Sequence, residues 1–170
     1  MKKAVSILVV CTGNICRSPT AEGVLRELAR RRGLGDRVRV ASRGTQDYHV
    51  GEAPDPRTVH HARGRGYDLS AQRAAQLDRG DFDAFDYILA MDRGHLRTLR
   101  AMAPKDCAAK VGLFLDASGR WKGEDVPDPY YGGSTGFEEV LDRVEEAAER
   151  WLDQVETELD PAKLPLRGTR

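Results

Sequence analysis

The sequence predicts an α/β domain, a four-stranded parallel sheet flanked by helices on both faces. Three observations carry this. A β-branched apolar run near the start of the chain passes through a polar, glycine-containing loop into a helix; three more short apolar runs alternate with helical stretches; and a long amphipathic helix closes the chain. At 170 residues the chain fits one domain, expected over residues 1–160 with a flexible tail over 161–170. A domain of that size buries enough surface to need no disulfide or metal staple.

Ala4 to Val10 reads as a strand buried on both faces, because it is continuously apolar instead of alternating. Ser18 and Pro19 suit a helix start, serine as a cap and proline in the first turn. Ala21, Val24, Leu25, Leu28 and Ala29 then keep helical spacing until Gly33. Val38 to Ala41, Tyr87 to Met91 and Val111 to Leu115 are the remaining strands. Helices are expected at about Pro56 to Arg65, Gln72 to Leu77, and Asp92 to Ala103, where Asp92 caps and Pro104 terminates. From Phe137 to Leu159 one apolar stripe lies opposite acidic residues, the pattern of core packing. Right-handed crossovers then give a Rossmann-like, flavodoxin-like sheet, and such sheets bind ligands at the carboxyl ends of their strands.

Composition narrows the function classes. Twenty-seven Lys and Arg residues balance 27 Asp and Glu, so net charge gives no reason to expect nucleic acid or an anionic membrane as partner. The charge is uneven: residues 1–100 carry 18 basic and 12 acidic residues, and residues 101–170 carry 9 and 15. A basic first half suits an anionic substrate or is simply a solvated arginine-rich surface. Cys11, Cys16 and Cys107 are odd in number and lack framework spacing, which points to free thiols in a reducing compartment. The apolar run after Met1-Lys2-Lys3 lacks a small-residue cleavage site, and no stretch reaches the ~20 apolar residues of a membrane span, so a cytoplasmic location is expected.

The chemistry concentrates directly after the first strand, in Cys11-Thr12-Gly13-Asn14-Ile15-Cys16-Arg17-Ser18. Backbone N–H groups of a tight Gly/Asn loop can converge on one point, a helix N-terminus adds partial positive charge there, and Arg17 offers a planar fork for two phosphate oxygens. The same field favours a thiolate at Cys11, a nucleophile aimed at phosphorus.

Cys11 to Pro19 resembles the signature Cys-x-Gly-Asn-x-Cys-Arg-Ser-Pro of the low-molecular-weight protein tyrosine phosphatase family. The resemblance continues through Ala21-Glu22, Ser42-x-Gly44-Thr45, the Pro-Asp-Pro-Arg within Gly51 to Arg57, Phe85-Asp86-Tyr87-Ile88 with Met91-Asp92, and Asp128-Pro129-Tyr130-Tyr131-Gly132. It covers roughly residues 4 to 158, and two distant motifs in order are far more specific than either alone.

The resemblance implies a two-step hydrolysis with Cys11 as nucleophile, Arg17 as phosphate clamp and Asp128 as general acid and then base. Phosphate would be held by the loop from Thr12 through Gly13, Asn14, Ile15 and Cys16 to Arg17 and Ser18. It further implies that Ser18 donates to the Cys11 sulfur, that Asn14 and Ser42 brace the loop, that Tyr48, Tyr130 and Tyr131 form a wall for an aryl ring, and that no metal or other cofactor takes part. A phosphotyrosine protein or peptide is the implied partner, with a tyrosine kinase among the candidates, acting on a monomer or weak dimer. Cys16 is either a reversible disulfide partner of Cys11 or loop packing, and Cys107 is read as packing. Glu124 and Asp125 are rival acids to Asp128. His49, His60, His61 and His95 lack metal-ligand spacing and default to surface or helix positions. The chain departs from the family at Gln72, where many members carry a histidine that pairs with a glutamate matching Glu22.

Arsenate reductases share the arrangement but relay a disulfide through further cysteines, absent here between residues 70 and 100. Protein arginine phosphatases are nearer relatives, but typically carry threonine where this chain has Ile15. A non-catalytic phosphate-binding scaffold would have lost a chemical group, yet nucleophile, arginine, serine and acid all remain. Rhodanese-like sulfur transfer gives the Asp-Pro-Tyr-Tyr segment no role.

Overall fold

The computed structural model of the protein describes residues 3–130 and 133–162. Strands β1 (Val5–Cys11), β2 (Val38–Gly44), β3 (Tyr87–Ala90) and β4 (Lys110–Leu113) form one parallel sheet in the order β2-β1-β3-β4. Side chains of the central β1 alternate between two cores. Val5, Ile7, Val9 and Cys11 join the core under α1 (Arg17–Arg31), α2 (Pro56–Arg63) and α5 (Ser134–Leu159). Leu8 and Val10 join the core under α3 (Asp81–Ala84) and α4 (Arg93–Met102). A strand sandwiched in this way has no solvent face, which is why its sequence is almost continuously apolar.

The apolar stripe of α5, from Phe137 to Leu159, is buried along its length. At roughly 1.5–3 kcal/mol for each fully buried large side chain, that face anchors the helix against α1 far more strongly than helix propensity does. Trp151 Nε1 also donates to the Phe114 carbonyl at 2.7 Å, satisfying the indole in an otherwise apolar layer. Asp92 caps α4 as expected, its Oδ1 accepting from the His95 N–H at 2.8 Å. Asp55 does the same for α2, accepting from the Arg57 N–H.

Three local expectations are corrected. The segment from Gln72 to Leu77 is not a helix. Its backbone runs extended beside the end of β2, with Gly44 N–H donating to the Ala75 carbonyl and Leu77 N–H to the Gly44 carbonyl, so tertiary partners outcompete a short and marginal helix. Ser18 does not cap α1: the N-cap is Cys16, and the Ser18 hydroxyl is turned inward. β4 stops at Leu113 because Phe114–Ala117 tightens into a 3-10 turn, whose Asp116 carboxylate accepts from the Leu113 N–H. The short α3 had no counterpart in the sequence reading. Pro161 and Ala162 are exposed, and the rest of the expected tail lies outside the described residues. Among the described residues no helix is long and apolar enough to cross a membrane.

Candidate active site

β1 and β2 end in register, Cys11 opposite Gly44, and α1 begins at Arg17, so residues 12–16 must turn within a short span over the carboxyl end of the sheet. Two loop carbonyls are tied off toward β2: Cys11 O accepts from Thr45 N–H at 2.8 Å and Thr12 O from Gln46 N–H at 3.0 Å. Gly44 has to be glycine. A Cβ there would lie 2.7 Å from the Thr12 carbonyl oxygen, backbone that cannot yield. Asn14 completes the turn at φ 59°, the left-handed region that favours glycine and tolerates asparagine.

Asn14 holds that conformation with three side-chain bonds. Its Nδ2 donates to Ser18 Oγ at 2.8 Å and to Ser42 Oγ at 2.9 Å, while its Oδ1 accepts from the Ala75 N–H at 2.9 Å. The extended 72–77 segment is therefore part of the brace. Ser42 Oγ in turn donates to Glu22 Oε1 at 2.7 Å, and Arg26 closes on Glu22 Oε2 at 2.7 Å. Burial pushes the Glu22 carboxyl above the ordinary carboxylate range despite Ser42 and Arg26.

The Cys11 Sγ is buried 2.9 Å from Ser18 Oγ. Arg17 is 5% exposed, its Nη1 donating to Asp92 Oδ2 at 2.9 Å and to the Val126 carbonyl at 3.0 Å, and its Nη2 standing 3.7 Å from Asp128 Oδ2. Burial opposes ionisation of Asp92, but the His95 N–H and the Arg17 guanidinium outweigh it and hold that carboxyl below its ordinary value. Asp128 Oδ1 accepts from the Tyr130 N–H at 3.0 Å, a turn that keeps its carboxyl at the cleft. Cys11, Thr12, Gly13, Ile15, Cys16, Arg17, Asp128, Tyr48 and Tyr130, with His49, line one cleft of about 270 Å³. A small concave site with an arginine fork and a buried thiol has the shape and charge for a monoester phosphate.

The family model described as low molecular weight phosphotyrosine protein phosphatase matches residues 6–161. This chain belongs to that family. It is 45% identical over 157 residues to the low molecular weight protein-tyrosine-phosphatase of Streptomyces coelicolor, covering 91% of this chain and 95% of that one. Among solved structures it is similar to a protein tyrosine phosphatase from Entamoeba histolytica, with TM-score 0.87, 35% identity and coverage of 91% and 99%. It is also similar to a Drosophila arginine phosphatase, with TM-score 0.81, 34% identity and coverage of 87% and 96%.

Within this low molecular weight phosphatase the motifs separated in sequence converge as follows. The two rival acids are occupied elsewhere: Glu124 pairs with Arg143, and Asp125 accepts from the Arg93 backbone N–H, leaving Asp128 as the carboxyl at the cleft. Burial pushes the Cys16 thiol up to about 12, so it stays a neutral thiol at physiological pH, and both loop cysteines are free. Tyr48 is 68% exposed on the cleft rim, while Tyr131 lies outside the described residues. Gln72 donates to the Pro19 carbonyl at 3.0 Å, and Arg26 is the cation paired with Glu22.

Two contributors were given no role by the sequence. His95 is 5% exposed beside the phosphate loop, its Nε2 2.7 Å from Thr12 Oγ1 across 83 residues of sequence. Arg57, clasped by Asp55, donates to the Tyr130 carbonyl at 3.0 Å and lies over the Tyr130 and Phe137 rings, while the Asp55 N–H donates to the Ile15 carbonyl at 2.9 Å. The acid loop is thus strapped to the phosphate loop. The Pro-Asp-Pro-Arg motif was the signal for this strap, although nothing in it names the partner. Among the described residues no group of three or more His, Cys, Asp and Glu side chains is placed to hold a metal ion.

Proposed function

We propose that the protein hydrolyses phosphotyrosine in proteins, and small aryl phosphates, through a phosphocysteine intermediate. One observation carries the reading: the Cys11 sulfur, 2.9 Å from the Ser18 hydroxyl, opens onto the same cleft as Arg17 and Asp128. The Cys11 thiolate attacks phosphorus in line as the phosphorus–oxygen bond to the phenol breaks, and Asp128 gives its proton to the departing oxygen. Water then attacks phosphorus, Asp128 takes its proton, and the sulfur–phosphorus bond breaks to restore the thiolate, with Ser18 donating to it. Arg17 and the loop N–H groups from Thr12 onward hold the equatorial oxygens, which suits a reaction driven by positioning and electrostatics. Asn14 and Ser42 keep the loop in shape, and Tyr48, Tyr130 and Tyr131 wall the aryl ring. Cys16, a neutral thiol in the same loop, serves as its partner in a reversible disulfide: a peroxide oxidises the Cys11 thiolate to a sulfenic acid, and the Cys16 thiol displaces its hydroxyl as water.

The catalytic unit spans residues 1–160 and works in the cytoplasm as a monomer or weak dimer, on phosphotyrosine proteins that include a tyrosine kinase. The similarity to an arginine phosphatase supports a second reading, phosphoarginine hydrolysis, against which stands Ile15 in the loop. The test is phosphate release from an aryl phosphate and from phosphoarginine in the presence of EDTA. Turnover of the aryl phosphate, abolished in Cys11→Ser and slowed for poor leaving groups in Asp128→Asn, supports the first reading. Preference for phosphoarginine replaces it with the second, and a folded wild type inactive on both leaves a phosphate-binding scaffold.

A further inference from the structure

We propose that the Thr12 hydroxyl is a further contact to the phosphoryl group, set in place by His95 as a positioning residue. The proposal rests on the phosphatase reading for its substrate, but its geometry stands apart from it. Thr12 follows the nucleophile and lines the cleft, and its hydroxyl is 2.7 Å from Nε2 of a buried histidine. His95 sits in the first turn of α4, where Asp92 Oδ1 fixes its backbone N–H and Asp92 Oδ2 holds Arg17. Asp92 therefore orients two groups of the cradle together, Arg17 directly and Thr12 through His95.

The proton inventory decides what Thr12 presents to the cleft. Burial and the facing Arg17 lower the His95 pKa to about 4, against the opposing pull of Asp92, Asp128 and Asp125, so the ring is neutral and carries one N–H. Nδ1 is 3.1 Å from Asp92 Oδ1 but makes no hydrogen bond, because that oxygen lies outside its donor geometry. Nε2 is then the nitrogen with a partner that rewards a proton. With Nε2 protonated, the ring donates to Thr12 Oγ1 and the hydroxyl proton is left to point into the cleft. The reverse tautomer would draw that proton to Nε2 and turn a lone pair toward the anion. A phosphate in the cleft selects the first arrangement.

The test uses the full-length protein and inorganic phosphate, with affinity followed by NMR titration alongside kcat and KM for an aryl phosphate. Thr12→Val and His95→Leu are each expected to weaken phosphate and to lower kcat/KM by about tenfold, the scale of one hydrogen bond to a charged group. The double variant is expected to be no worse than either single one, since both remove the same contact. Thr12→Ser and His95→Gln, which keep a hydroxyl and a donor, recover most of the loss. The His95 ring nitrogens of the wild type are expected to show the Nε2-protonated tautomer at saturating phosphate. Unchanged phosphate affinity in Thr12→Val, additive losses in the double variant, or an Nδ1-protonated ring at saturation each overturns the proposal. If His95→Leu does not fold, the comparison of Thr12→Val with Thr12→Ser decides. A wild type that binds phosphate yet hydrolyses neither aryl phosphate nor phosphoarginine refutes the phosphatase reading, while the binding comparison still judges the Thr12 contact.

Discussion

Replacing Asn14 separates the two things it does for the phosphate loop. Asn14→Ala places a Cβ-bearing residue without a polar side chain at φ 59°, at roughly 1–2 kcal/mol. It also orphans the half-buried Ala75 N–H, at roughly 1–2 kcal/mol. The two acceptors of Nδ2 suffer less, because Ser18 still meets Cys11 and Ser42 still meets Glu22. A central value of about 3 kcal/mol corresponds to a melting temperature lower by roughly 10 °C for a chain of this length. Asn14→Gly loses the same bonds but relieves the left-handed strain, returning part of that gain as the extra freedom of glycine in the unfolded chain. It should be more stable than the alanine variant by about 0.5–1 kcal/mol. Urea denaturation of the three proteins measures both quantities, and phosphate release reports the loop. Both variants should lose most of their activity, because the cradle N–H groups no longer converge. Equal stability of alanine and glycine variants, or a loss under about 0.5 kcal/mol for either, would refute the claim that strain held by hydrogen bonds shapes this loop.

Other consequences follow from the same geometry. Gly44→Ala forces a Cβ to within 2.7 Å of the Thr12 carbonyl oxygen and should destabilise the protein by roughly 1–3 kcal/mol while weakening phosphate binding; wild-type affinity would show that the loop adapts freely. Arg57→Gln releases the strap on the acid loop and should lower kcat about tenfold for poor leaving groups while leaving inorganic phosphate affinity near wild type, a split that steady-state kinetics with product inhibition resolves. Burial raises the Glu22 carboxyl, so the folded state keeps a proton that the unfolded chain has released. The stability from this group is full below the ordinary carboxylate range and is lost as pH rises through the raised value. Glu22→Gln, neutral throughout, should flatten that decline in urea unfolding as pH rises above the ordinary carboxylate range, and an unchanged slope would contradict the assignment.

Much of this protein is written locally. The β1 run, the loop and α1 are contiguous, so a cysteine and an arginine with five residues between them fall on one anion site whenever a strand precedes them and a helix follows. The α5 stripe is equally legible, because helical periodicity is a property of the chain itself and every stripe residue is buried. Asp92 was recognisable as a cap for the same reason, a cap being a bond to a backbone group a few residues away.

What the sequence did not determine are the bonds whose partners lie far along the chain. Residues 72–77 have a helical pattern but run extended, because Asn14 and Gly44 offer their backbone better partners than a single isolated turn. Ser18 looks like a cap and serves the Cys11 sulfur instead, since a hydroxyl bonds to whichever acceptor folding brings nearest. The joining of Thr12 to His95, of Arg17 to Asp92 and of Arg57 to the acid loop depends on which helix lands on which end of the sheet. Local propensity acts over a few residues and fixed most of the elements and the place of Cys11 at the end of β1. The surroundings of Cys11 required the packed sheet, because only packing brings groups 75 to 83 positions apart within hydrogen-bond distance.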